Sequence, residues 1–210
     1  MPLLSAERVV VVDTETTGMS PAEGHALVEV ATVVLENGTI GETWSSLVRP
    51  GRPIPPDASA VHGITDAMVA GAPEPSQVAA ELGRRCGEHV LGFHNHPFDL
   101  PFVAALMRAG HQAPLMGPIV DTLGLARGLG GEGGNSLQNL RARYALPAES
   151  PHRALGDALT TARLLVVLAD RWEREKGTRS LMELAAASLD VLRPARREPI
   201  VRPWGVSAYA

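Results

Sequence analysis

Two acidic residues stand two apart where a dense apolar run ends: Val9-Val10-Val11-Val12 is followed by Asp13-Thr14-Glu15-Thr16-Thr17-Gly18. If the run is a strand, alternation puts both carboxylates on one face. Neither has a basic neighbour in sequence, and a tight turn of small polar groups follows. A third acid, Asp99, comes after a later apolar stretch in Gly92-Phe93-His94-Asn95-His96-Pro97-Phe98-Asp99. A fourth, Asp157, lies five residues beyond His152 in Pro151-His152-Arg153-Ala154-Leu155-Gly156-Asp157. On one regular helix His152 and Asp157 would point about 140° apart. They converge only if His152 precedes the helix and Asp157 falls in its first turns, which Pro151 favours by pushing Ser150 toward an extended conformation. Taken singly, each residue has an ordinary role: a solvated strand-end charge, a carboxylate in a first helical turn, a packing or surface histidine.

Together they would do more. Two carboxylates 4 Å apart repel by about 4 kcal/mol at an effective dielectric of 20, so four converging acids need protons or cations. Two divalent ions would cancel the set, and Mg²⁺ prefers such oxygen ligands. In a two-metal site one ion sharpens an attacking water and the other stabilises a leaving oxygen. A neutral His152 could take the proton of that water, so the rate is expected to rise with pH.

These residues need elements to hold them. Residues 8–12 read as a central strand covered on both faces. Residues 26–35 form a second β-prone run, Asn37-Gly38 is a hairpin signal, and residues 39–48 return as a third strand. Pro50, Pro53, Pro55 and Pro56 suggest an extended linker that ends at Val61-His62-Gly63-Ile64. Ser76 is expected to cap a helix to about residue 87. A strand over 89–93, a helix over 97–109 and a brief strand at Ile119-Val120-Asp121 follow. The glycine-rich stretch 128–134 lacks the lysine of a phosphate-binding loop. Helices are expected from Asn135 to about 144, over about 154–173, and from the Ser180/Glu183 capping box to about 192. Meander strands followed by alternating helices and strands imply an α/β fold of ribonuclease-H-like architecture, a mixed five-stranded sheet flanked by helices.

The three acidic segments in this order resemble the DEDDh family of 3′→5′ exonucleases. The likeness extends through Val61-His62-Gly63-Ile64-Thr65-Asp66-Ala67-Met68, Asp121-Thr122-Leu123 and Gly156-Asp157-Ala158, over about residues 8–172. It is strongest to the epsilon proofreading subunit of bacterial DNA polymerase III and its stand-alone relatives. The resemblance implies two Mg²⁺ or Mn²⁺ ions and release of nucleoside 5′-monophosphates from single-stranded or frayed DNA 3′ ends, with a DNA polymerase subunit as a partner. It makes Asp13, Glu15, Asp99 and Asp157 the metal carboxylates, Asp13 bridging both ions, and His152 the general base. Thr16, Met19, Asp57, His62 and Asn95 become substrate contacts, with Met19 wedged between the last two bases. His96 occupies a variable position and receives no role. RNA-trimming exoribonucleases of the oligoribonuclease or ribonuclease T type use the same five catalytic residues and form the alternative. A non-catalytic scaffold in a replication complex is an alternative of another class. The exonuclease domain would span residues 1–175, followed by a C-terminal helix over 176–192. Residues 193–210 form a Pro/Arg-rich tail in which Trp204 and Tyr209 are candidate aromatic anchors and Arg193, Arg196 and Arg197 candidate phosphate contacts.

Composition bounds these readings. With 210 residues, 45% hydrophobic, the chain can bury one α/β core. A net charge of −4 excludes a general basic footprint, although the balance is uneven: residues 1–170 are acidic and 171–210 basic. Metal ions would therefore supply much of the positive charge at a nucleic-acid site. The one cysteine, Cys86, allows no intramolecular disulfide, suits a reducing cytoplasm and is expected in the core. No apolar run of about 18 residues exists to span a membrane, and residues 1–8 lack the layout of a signal peptide. A cytoplasmic protein is the expectation.

Overall fold

The structure, a computed structural model, describes residues 3–130 and 133–193. The tail calls on Trp204, Tyr209, Arg196 and Arg197 lie outside the described residues. Strands β1 (Arg8–Thr16), β2 (Leu27–Glu36) and β3 (Thr39–Leu47) form the expected antiparallel meander. Asn37 and Gly38 turn between β2 and β3 with φ of 55° and 75°. Both values are those a two-residue type I′ hairpin turn demands. Strands β4 (Val90–Phe93) and β5 (Ile119–Asp121) add in parallel, giving the order β3-β2-β1-β4-β5. The β-branched run of β1 thus lies in mid-sheet, where both of its faces can be covered.

The Pro-rich stretch departs from the expected extended linker. It holds two short helices, α1 (Pro56–His62) and α2 (Asp66–Val69). Pro56 sits at the helix start, where its fixed φ is favourable, and Gly63 ends α1 in the left-handed conformation. Helix α3 (Pro75–Cys86) begins two residues earlier than a Ser76 cap would allow, because Glu74 and Gln77 cap it reciprocally. Helices α4 (His96–Ala109), α5 (Thr122–Leu129) and α6 (Leu137–Arg143) follow, α6 capped by Ser136 rather than opened by Asn135. The long α7 (Ala154–Lys176) and α8 (Leu181–Leu192), capped by Ser180, complete the described elements.

Alternation along β1 divides the core. Val9 and Val11 join Ala154, Ala158 and Leu165 of α7, whereas Val10 and Val12 join α3 and α4. Cys86 is fully buried in the second cluster, as expected. Leu181, Leu184 and Ala185 of α8 belong to the same cluster as β1 and α7. Among the described residues no helix is long and apolar enough to cross a membrane. Helices α5 and α8 touch so closely that a Cβ on Gly124 would sit 1.9 Å from the Ser188 carbonyl oxygen. Backbone cannot give way as a flexible side chain would. Gly124→Ala is therefore expected to cost about 1–3 kcal/mol in urea denaturation; a loss below about 0.5 kcal/mol would show that the two helices separate freely.

Candidate active site

The carboxylates meet at the end of β1. Asp13 and Glu15 continue the face of Val9 and Val11, and a bulge after Glu15 ends regular pairing. That face is covered by α7, whose fourth residue is Asp157. Carboxylate oxygens of Asp13, Glu15 and Asp157 lie within 4.8 Å of one another. Asp99, the fourth residue of α4, arrives from the opposite layer and accepts a 2.7 Å hydrogen bond from Thr14 Oγ1. Burial raises the Asp13 acid well above its ordinary range, and the charges of Asp99, Asp157 and Glu15 push it further. Burial, then Asp157 and Glu29, lift Glu15 to about 8. Burial brings Asp99 to about 7 against the Thr14 hydrogen bonds, and it also raises Asp157. Without cations this set holds protons that ordinary carboxylic acids release.

Two other acids build the frame. Glu29, across from Glu15 on β2, is 4% exposed and accepts from Arg153 at 2.6 and 3.0 Å and from Ala154 N at 3.0 Å. It fixes the first residues of α7. Just upstream, His152 turns at φ 56° and its backbone N–H donates to Asp157 Oδ2 at 2.9 Å. The histidine thus precedes the helix and the acid lies in its first turn, as convergence requires. The second frame acid, Asp121 at the end of β5, is fully buried. It accepts from the backbone of Asn95 (3.0 Å), His96 (2.6 Å) and Leu123 (2.8 Å) and pairs with His96 Nδ1 at 2.7 Å. Burial alone would raise its pKa, but these donors outweigh it and hold the acid below its ordinary value. His96, given no role from the sequence, therefore has one: with Asp121 it ties down the turn from which α4 and Asp99 start. A buried Glu inside an apolar strand, and an Asp that ends one, were the available signals for these two anchors.

A cavity of about 390 Å³ opens beside the carboxylates, lined by Glu15, Thr16, Met19, Asp57, His62 and Phe98 among others. Four of the five expected substrate contacts therefore share one space with Glu15. Asn95 does not; it lines a separate polar cleft with Arg127 and Ser136. Thr16 Oγ1 donates to Gly18 O at 2.7 Å. A Cβ on Gly18 would stand 2.3 Å from the His25 ring, so the absence of a side chain lets this turn pack against His25. Met19 is 74% exposed at this cavity. His62 is buried; its Nδ1 accepts from Ile64 N at 3.0 Å, which leaves Nε2 without a partner, and burial lowers its pKa. Asp57 accepts locally from Ala58 N at the exposed start of α1.

Comparison with known proteins places this geometry. Residues 10–165 match the RNase_T family, described as exonuclease. A DNA polymerase III subunit epsilon-like protein of Rhodobacter capsulatus is 42% identical over 176 residues, which are 77% of this chain and 24% of that protein. The chain thus spans about a quarter of that relative. The DNA polymerase III subunit epsilon of Treponema pallidum is 32% identical over 169 residues, covering 79% of this chain and 78% of that one. Among solved structures, Exonuclease X in complex with 5′ overhanging duplex DNA aligns with a TM-score of 0.68 and 31% identity, covering 86% of this chain and 99% of that chain.

The protonated state of the site sets a pH dependence. In the metal-free folded chain Glu15 ionises near 8, against 4.5 in its absence. A raised folded-state pKa contributes stability that is complete below the unfolded value and is lost as the pH climbs through the folded one. In EDTA, the stability of the wild type relative to Glu15→Gln should fall between about pH 5 and pH 8.5, followed by urea denaturation at each pH. A constant difference across that window would mean that Glu15 ionises like an ordinary acid.

Proposed function

This chain belongs to the exonuclease family, and from that premise we propose that it is a metal-dependent 3′→5′ exonuclease. It hydrolyses phosphodiester bonds at single-stranded or frayed DNA 3′ ends and releases nucleoside 5′-monophosphates. The observation that carries the proposal is the convergence of Asp13, Glu15 and Asp157 oxygens within 4.8 Å beside a cavity lined by Met19 and His62.

The donor set suits Mg²⁺ or Mn²⁺. All its ligands are carboxylate oxygens, which hard divalent cations favour. Asp157 Oδ1 is buried with no hydrogen-bond partner among the described residues, an arrangement that a cation would satisfy. Asp13, Glu15 and Asp157 would hold one ion, and Asp13 with Asp99 a second. Bound there, two divalent ions supply Lewis acidity to the attacking water and offset charge on the leaving 3′-oxygen. The chain's own groups do the rest. His152, exposed on the turn before α7, takes a proton from the water. Glu29 and Arg153 hold that turn in register. Met19 presents its side chain to the last bases at the cavity mouth, and His62 Nε2 has a free valence for the terminal nucleotide. Asp57 lies at the rim and Thr16 closes the floor.

DNA as substrate is supported by the two epsilon-type relatives and by Exonuclease X, whose structure was solved with DNA. The names of the two epsilon-type relatives likewise support a polymerase subunit as partner. RNA trimming would use the same five residues, so the polymers must be compared directly. The complete carboxylate set argues against a scaffold without activity.

A 5′-labelled single-stranded DNA oligomer incubated with Mg²⁺ should give a ladder shortening from its 3′ end, faster than a matched RNA. EDTA should abolish it, and Asp13→Asn should reduce it at least about 10³-fold. No ladder on either polymer, with Mg²⁺ or Mn²⁺, would overturn the proposal. His152→Ala is expected to lower kcat by about 10²–10⁴-fold with KM little changed; an unaltered kcat would remove His152 as the base.

A further inference from the structure

We propose that Ser188 on α8 is a positioning residue for Asp99, which makes the C-terminal helix a working part of the active site. The inference rests on the metal-dependent reading given above. The residues shared with the exonuclease family end at 165, and α8 (Leu181–Leu192) lies beyond them.

Strand β5 is an edge of the sheet, and the edge would leave the Asp121 N–H unpaired in a buried place. Ser188, itself fully buried, supplies the missing acceptor: its Oγ receives the Asp121 N–H at 3.0 Å and donates to Ala185 O at 2.7 Å. The Asp121 carboxylate then accepts from Asn95 N, His96 N and His96 Nδ1 at 3.0, 2.6 and 2.7 Å. Those donors belong to the turn in which Asn95 takes φ 75°, a conformation uncommon outside glycine, immediately before α4. Asp99 follows three residues later, and among its own side-chain contacts is the 2.7 Å hydrogen bond from Thr14 Oγ1. The direction of α4's first turn, and hence the place of Asp99, is therefore set through Asp121 by Ser188. The lever is firmly seated. Leu181, Leu184 and Ala185 are in the core, and the Ser188 carbonyl abuts Gly124.

The test uses the full chain and three variants. Ser188→Ala leaves the Asp121 N–H without an acceptor. Groups hydrogen-bonded directly to metal ligands contribute about 10–100-fold to metal affinity or activity, and Ser188, which acts one step further out through Asp121, belongs at the lower end of that range. Ser188→Ala should therefore lower kcat on the DNA oligomer about tenfold with KM unchanged, and should weaken Mn²⁺ binding, read by electron paramagnetic resonance titration, about as much. Ser188→Thr, which keeps the oxygen, should restore both. His96→Gln loosens the same turn from its half-exposed end and gives the same readouts should Ser188→Ala fold poorly. The two changes combined should be less than additive, since they act on one unit. A Ser188→Ala protein that loses stability yet keeps wild-type kcat and Mn²⁺ affinity would overturn the proposal and leave the exonuclease reading intact. If the wild type itself cuts nothing, the Mn²⁺ titration decides alone: equal affinities overturn the relay, and a tenfold weakening of Ser188→Ala upholds it.

Discussion

Carboxylates drawn out of water at the end of a central strand repel one another, and most of the polar architecture of this chain bears on that repulsion. Asp13 lies where β1 leaves the core, with Glu15 on the same face, Asp157 descending from α7 and Asp99 arriving from the opposite layer. Burial is the largest cause of the raised pKa of each, and neighbouring site carboxylates add to it at Asp13 and Glu15. A site built only for stability would not gather like charges in a low-dielectric place. Under the proposed function, divalent cations in place of the protons would make the arrangement favourable and complete the site.

The contrast with the other buried acids makes the point sharper. Glu29 is as buried as Asp99, yet it is fully matched by a two-pronged Arg153 and by Ala154 N. Asp121 is matched by three backbone amides and His96. Both are structural, each holding the start of a helix that carries a site carboxylate. Asp157, by comparison, has one oxygen on the His152 amide and the other without a partner. The two fully matched acids form the frame, whereas the site keeps one buried oxygen, Asp157 Oδ1, with no hydrogen-bond partner among the described residues. The same distinction picks out His62, whose Nδ1 is used within the fold and whose Nε2 is not.

The legible parts of this chain are those fixed by local pattern. A four-valine run ending in Asp-x-Glu gives a strand with both acids on one face, because strand periodicity is two. Asn37-Gly38 gives the hairpin, and Pro151 allows His152 to precede the helix that carries Asp157. What local pattern misses is long-range or context-bound. Glu29 and Arg153 are 124 positions apart, and nothing in either segment names the other. The bond from Asp121 to Ser188 spans 67 positions. The prolines at 50–56 read as an extended linker, but Pro56 at a first helical position starts α1 instead. His96 occupies a variable position of its motif, and nothing local marks its buried carboxylate partner, Asp121, 25 positions on. Asn95 shared the motif of Asp99, yet its left-handed backbone aims it at a different cleft.

The central claim is that this cluster exchanges protons for divalent cations. Its most direct test is titration calorimetry of the full chain with Mn²⁺ at about pH 7, repeated in buffers of different ionisation enthalpy so that released protons are counted. Because burial and neighbouring acids lift Glu15 to about 8, and burial lifts Asp99 to about 7, the account expects binding with net proton release at pH 7, and loss of binding in Asp13→Asn. Mn²⁺ binding without proton release at pH 7, or equal binding by Asp13→Asn, would contradict it.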